Sequence, residues 1–161
     1  MIEVFDSIFS GSQEDCVFGT PDLQVIHACK WPCYCSQTGG KTLDRSHPDY
    51  LSIETPDNLY LNALDPKKPM FYLEMFWDAK RFCCSSESPL LVHCNQGRSR
   101  SVAISFLCGI WRGIVAADLW ENSFTGGGRG IDTFMFENWE FLTKDRSEWS
   151  GSPDPKYLLN G

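Results

Sequence analysis

The segment Leu90–Ser101 (LLVHCNQGRSRS) restricts the possible folds of this chain more than any other. Leu90-Leu91-Val92 is a short apolar run. Ser85-Ser86-Glu87-Ser88-Pro89 precedes it and a Gly-containing loop follows, the pattern of an interior strand covered on both faces. From Ser99 to Trp111 (SRSVAISFLCGIW) nearly every residue is small or apolar, as in a helix that is almost wholly buried, and Gly113 is placed to end it. A buried strand that passes into a buried helix through Asn95-Gln96-Gly97-Arg98-Ser99 is a building block of α/β domains. In such sheets ligands sit just beyond the carboxyl ends of the strands, where His93-Cys94 falls.

The chemistry of that position follows from its surroundings. A loop that turns into a helix N-terminus points several backbone N–H groups at one place and forms a cup for an anion. Gly97 permits the turn and a close approach of backbone to ligand. A cysteine on the floor of the cup is stabilised as thiolate by the loop amides, the helix dipole, Arg100 and a serine hydroxyl. Arg100 can hold two oxygens of a phosphate at once, which lysine lacks the planar fork to do. The same cup fits a transition state with three equatorial oxygens around phosphorus. A Cys six positions before an Arg is cheap by itself: eight Cys and seven Arg in 161 residues supply about 0.35 such pairs by chance. Adding His before the Cys, Gly three after it and Ser after the Arg brings the expectation to the order of 10⁻⁴.

The rest of the chain completes an α/β pattern. Ile2–Phe5, Ile8–Phe9, Leu23–Ala28, Tyr50–Ile53 and Leu59–Leu64 read as short extended runs. A turn-rich loop lies between Cys29 and Pro48, with Gly39-Gly40-Lys41-Thr42 as a turn. A helix is predicted from about 69 to 84, with Leu73, Phe76, Trp77 and Lys80 on one face. A shorter helix is predicted over Ile114–Asn122, then a Gly-rich linker 126–130, and a helix over Asp132–Leu142 capped by Asp132. Trp120, Trp139 and Phe141 are assigned to the core, and Trp149 to a polar tail. The expected fold is a single compact α/β domain over residues 1–142, with a central, mostly parallel sheet of four to five strands flanked by helices. Residues 143–161 form the tail.

Composition narrows the function. At 161 residues the chain suits one core. Its 42% hydrophobic and 14% aromatic content excludes a largely disordered chain. A net charge of −7 argues against nucleic acid as partner. No apolar stretch approaches the roughly 20 residues of a membrane span, and Asp6 interrupts any signal-peptide core, so a cytoplasmic protein without membrane partner is expected. The eight cysteines then read as reduced thiols. Cys29, Cys33 and Cys35 with His27 resemble the start of a metal knuckle, but the remaining pair Cys83-Cys84 fits one tetrahedron poorly, so no metal and no cofactor is predicted. Cys29, or Cys33, is instead a candidate redox partner for an oxidised Cys94.

LVHCNQGRSRS resembles the active-site loop of the cysteine-dependent protein phosphatases, whose pattern is His-Cys, five residues, Arg, then Ser or Thr. The ending Ser99-Arg100-Ser101 is closer to the compact dual-specificity branch than to the large tyrosine-specific enzymes, whose loop usually ends Gly-Arg-Thr-Gly. The stretch Leu59–Asp65 and the Gly-rich run before the last helix are similar to bacterial or phage-encoded members. The resemblance is sharp over 90–101 and extends as an element pattern over 1–142, which implies a phosphotyrosine-phosphatase-like sheet. It implies that Cys94 attacks phosphorus to form a phosphocysteine, and that Asn95, Gln96, Gly97, Arg98, Ser99 and Arg100 form the phosphate-binding loop. His93 would hold the loop in shape, and Ser101 would help Cys94 leave.

The general acid is sought among Asp44, Asp49, Asp57, Asp65 and Asp78. Asp65 leads, because it follows the strand-like Leu59–Leu64, precedes Pro66 and lies 29 residues before Cys94, a spacing similar to the family's. No Trp-Pro-Asp loop is present, since Trp31-Pro32 is followed by Cys33. The implied substrate is a phosphorylated protein or peptide, with phosphotyrosine and phosphoserine or phosphothreonine all accepted. The alternatives are a phosphatase for a non-protein phosphomonoester and a non-catalytic phosphate-binding module. A sulfur-transfer enzyme of the rhodanese type also seats a Cys in a looped cradle.

Overall fold

Alternation of side chains on short strands sets the architecture. The computed structural model describes residues 1–16, 22–64, 71–117 and 130–143. Six strands occur among them: β1 (Ile2–Phe5), β2 (Ile8–Gly11), β3 (Gln24–His27), β4 (Ser52–Glu54), β5 (Asn58–Leu61) and β6 (Leu90–His93). They form one sheet in the order β1-β2-β6-β3-β5-β4. The inner four are mutually parallel, whereas each edge strand runs antiparallel to its neighbour. The sheet is therefore mixed and six-stranded, not the mostly parallel sheet of four to five strands expected from sequence. The reason is local. β1 reaches β2 through Asp6-Ser7, and β4 reaches β5 through Thr55-Pro56-Asp57. Both links are far too short for a crossover, so each pair closes as a hairpin.

The central strand β6 is buried at all four residues, as its unbroken apolar run requires. Ile26, Leu59, Leu61, Leu90 and Val92 point into a core built with the helices. Val25, His27, Tyr60, Leu91 and His93 alternate to the opposite face. Register makes His27 the neighbour of both His93 and Tyr60, so these three rings stand in a row at the carboxyl ends of adjacent parallel strands. That face is covered by a second cluster of Cys29, Cys33, Tyr34, Cys35 and Tyr60. It is contributed in part by a helical segment, Lys30–Tyr34, and the single turn α1 (Cys35–Gln37).

Helix α2 spans Leu73–Cys84. It starts later than predicted, because Tyr72 is still extended; Pro69 and Met70 lie outside the described residues. Its buried stripe is Leu73, Met75, Phe76, Ala79, Phe82 and Cys83, while Trp77 and Lys80 flank it half-buried. Ala79 is the small residue that lets the helix lie close. Helix α3 spans Arg100–Trp111 and packs against β2, β6 and α2.

The predicted helix Asp132–Leu142 is two: α4 (Gly130–Glu137) and α5 (Trp139–Thr143). They part at Asn138, whose buried side-chain amide donates to the Phe134 carbonyl at 2.9 Å. Asp132 sits inside the first turn of α4 and not at its cap. Trp139 and Phe141 pack half-buried against the core. Of the helix predicted over Ile114–Asn122, residues 114–117 form bends and turn. Its remainder, Trp120, most of the Gly-rich linker and the tail with Trp149 lie outside the described residues. No helix among the described residues is long and apolar enough to cross a membrane.

Candidate active site

β6 delivers His93 and Cys94 to the carboxyl end of the sheet, and α3 begins at Arg100, so the loop between them closes into a cup. Cys94 is 2% exposed and Arg100 3%. The loop is braced from β2 and the turn after it. The Cys94 N–H donates to the Gly11 carbonyl and the Gln13 N–H to the Asn95 carbonyl, each at 3.3 Å. Gly97 carries a φ of +68°. A β-carbon there would lie 3.1 Å from Gly11 and Ser12 backbone atoms, so both its conformation and its close approach require glycine. Gly97→Ala is expected to cost about 1–3 kcal/mol of stability. It should also weaken binding of orthovanadate, a tetrahedral oxyanion, at least about tenfold. Chemical denaturation and a vanadate titration check this, and unchanged vanadate affinity would show that the loop's shape does not hold the anion.

The cup is electrically prepared for negative charge. Burial opposes ionisation of Cys94, but the Ser101 hydroxyl and amide, the Arg100 charge and the Gly97 amide outweigh it and hold the thiol below its ordinary value. Cys94 Sγ lies 3.4 Å from Ser101 Oγ. Ser99 precedes α3 without a side-chain cap, and its buried hydroxyl has no hydrogen-bond partner among the described residues. The first turn of α3 thus faces the cup with no capping side chain from Ser99, the usual state of a helix that receives an external anion.

Arg100 is held in one plane. Its two terminal nitrogens donate to the Ala63 carbonyl at 2.7 Å and to Asn95 Oδ1 at 2.8 Å. The Asn95 amide nitrogen donates in turn to the carbonyl of Trp31 at 2.6 Å and to Gln13 Oε1 at 3.3 Å. His93 is fully buried, and its Nε2 lies 2.7 Å from His27 Nδ1, whose Nε2 lies 2.9 Å from Asn58 Oδ1. The Asn58 oxygen makes His27 Nε2 a donor, so His27 Nδ1 accepts from His93. Burial, with His27 alongside, pushes His93 down to about 4, so it stays neutral and serves as a hydrogen-bonded brace.

The structure brings Cys94, Arg100, Asn95, Gly97, Ser99, Ser101 and His93 together at the carboxyl end of β6 and the start of α3. Gln96 and Arg98 are exposed on the same loop. Asp65 lies outside the described residues. Ala63, two positions before it, is the residue whose carbonyl meets Arg100. Asp57 precedes β5 and so lies at the opposite end of the parallel strands from Cys94. Asp78 bonds Ser52 and Arg81 on α2. Cys29 and Cys33 carry free thiols in the cluster on the face away from α3, whereas Cys94 belongs to the helix-side core.

Trp31, Gln13 and Cys16 were not assigned to the site from sequence. Trp31 is 59% exposed, and its carbonyl accepts from the Asn95 amide of the loop. Only the fold places it there, because no spacing rule links it to a loop 64 positions on. No protein-family model, curated protein or solved structure matches this chain.

Proposed function

We propose that the protein is a cysteine-dependent phosphatase of dual specificity, hydrolysing phosphotyrosine and phosphoserine or phosphothreonine monoesters of proteins through a phosphocysteine. The observation that carries this reading is the pairing of buried Cys94 with buried Arg100 across a loop whose Gly97 and Ser101 amides converge on the sulfur. In the proposed reaction Cys94 Sγ attacks phosphorus as the ester oxygen departs. Arg100 and the loop amides hold the three equatorial oxygens. Water then attacks the phosphocysteine, with Ser101 donating to the departing thiolate. His93 neither gives nor takes the reacting proton; it fixes the loop.

The parallel centre of the sheet, β2-β6-β3-β5, supports the phosphotyrosine-phosphatase-like fold that this reading implies. Exposed Arg98 on the loop favours an acidic neighbour on the peptide. Cys29 remains the proposed thiol partner for an oxidised Cys94.

The test is hydrolysis of para-nitrophenyl phosphate and of phosphotyrosyl and phosphoseryl peptides, without added metal and with reductant. Acid-quenched samples are examined for one phosphoryl group on the Cys94 peptide. Turnover with that adduct supports the reading, and turnover with phosphate found on another residue overturns it. Oxyanion binding without turnover assigns a phosphate-binding module instead.

Asp65 is the proposed acid that protonates the leaving group. Asp65→Asn is expected to lower kcat for a phosphoseryl peptide, a poor leaving group, by about 10²–10³-fold. The alkaline limb of the pH–rate profile should vanish with it. A retained limb would move the role to another carboxylate.

A further inference from the structure

Four side chains that the proposed ester chemistry does not use as reactants converge on the sheet face opposite α2 and α3. His27 and His93 end two hydrogen-bonded parallel strands as register partners. Cys16 reaches them from just after the Gln13–Asp15 turn, and Cys33 from the Lys30–Tyr34 segment. Their ligand atoms, the two Sγ, His27 Nδ1 and His93 Nε2, all lie within 4.8 Å of one another. Cys16 Sγ is 3.6 Å from His27 Nδ1, Cys33 Sγ is 3.9 Å from His93 Nε2, and the two nitrogens are 2.7 Å apart.

We propose that Cys16, His27, Cys33 and His93 form a structural zinc site at the base of the Cys94 loop. Zn–S bonds of about 2.3 Å and Zn–N bonds of about 2.0–2.1 Å place tetrahedral ligand atoms about 3.3–3.8 Å apart. The Cys16–His27 and Cys33–His93 separations already sit close to that range, the imidazole pair has to open by about 0.6 Å, and the remaining pairs, all within 4.8 Å, have to close by about 1.3 Å at most. Two sulfurs and two nitrogens select zinc over magnesium or calcium. All four positions come from protein, so no open position remains for catalysis.

One Zn²⁺ displaces the protons of the Cys16 and Cys33 thiols, which pass to solvent. The proton on His93 Nε2 is relocated to Nδ1, leaving Nε2 as the ligand. Two thiolates offset the dication, so the filled site is neutral where His27, Cys33 and His93 are buried. The surroundings are arranged as for a ligand. Asn58 Oδ1 accepts from His27 Nε2, which leaves Nδ1 as the lone pair facing the cluster, and the Tyr60 ring stacks on His27 at 4.2 Å. Sequence spacing conceals the group, because Cys16 and His93 are 77 positions apart and neither lies in a short ligand pair.

The test loads the full chain with zinc sulfate, dialyses it against zinc-free buffer and counts retained metal by elemental mass spectrometry. One zinc per chain is expected. Cys33→Ala and Cys16→Ala should abolish stoichiometric retention, and Asn58→Ala should weaken it about 10- to 100-fold. Cys35→Ala and Cys94→Ser should each keep one zinc, so failure of the metal reading is separable from failure of the phosphatase reading. Because the ligand variants can also unfold, cobalt(II) is loaded into the unmodified chain as a second measurement. Tetrahedral visible bands with a thiolate charge-transfer band support the site. Absent stoichiometric zinc, an octahedral cobalt spectrum, or full retention in a Cys16→Ala/Cys33→Ala double variant would overturn it.

Discussion

Cys94→Ser is expected to lower metal-independent hydrolysis of para-nitrophenyl phosphate by at least about 10³-fold while binding orthovanadate within a few-fold of the unmodified protein. The two halves of this expectation come from different parts of the site. The proposed nucleophile is the thiolate, whose formation the Ser101 hydroxyl, the loop amides and Arg100 favour against the cost of burial. A serine hydroxyl in the same place is far too weak an acid to ionise there, so attack on phosphorus fails. The proposed anion site, by contrast, is built from backbone and from Arg100. Gly97 stays wedged against Gly11 and Ser12, and Arg100 stays pinned by Ala63 and Asn95. A variant that loses both turnover and vanadate binding has lost the loop, and one that keeps turnover places the nucleophile elsewhere.

The site was more legible in the sequence than the sheet was. The strand, the loop and the start of α3 are contiguous, so residues 90–101 carry their own geometry. Leu90–Val92 has no polar residue to put on a solvent face, and Gly97 stands where a positive φ is needed. The edges of the sheet were not legible in the same way. Ile2–Phe5 and the run near Ser52 show as extended, but their direction depends on which neighbour they meet. That is decided by the length of the connecting turn and not by their own composition.

The break at Asn138 is hidden because Ile131, Phe134, Asn138 and Leu142, all buried, keep a helical spacing of three or four across it. The row of His27, His93 and Tyr60 needed strand register across three separate segments, which a single chain does not display. Cys33 stands in a cysteine-rich loop, yet its neighbour is His93, 60 positions away.

Arg100→Lys is expected to lower kcat/KM by about 10²–10³-fold, with most of the loss in kcat. Charge alone cannot account for such a loss, because lysine keeps it. What disappears is the planar fork. Two of the guanidinium donors are committed to the Ala63 carbonyl and Asn95 Oδ1, and those two bonds set the plane of the whole group at the floor of the cup. A lysine ammonium reaching the same space has three donors on one atom, so it cannot satisfy Ala63 and Asn95 and still present two parallel donors to phosphate. Equatorial oxygens spread apart in the transition state more than in the ground state, so the missing second donor is felt mainly there. The thiolate at Cys94 still has a cation beside it, and its rate of alkylation by iodoacetate should change much less than kcat. Asn95→Ala separates the two roles. It frees one guanidinium nitrogen without removing the fork, and should cost less than the lysine substitution. If Arg100→Lys stays within about tenfold of the unmodified protein, the cup works through charge and not through bidentate geometry.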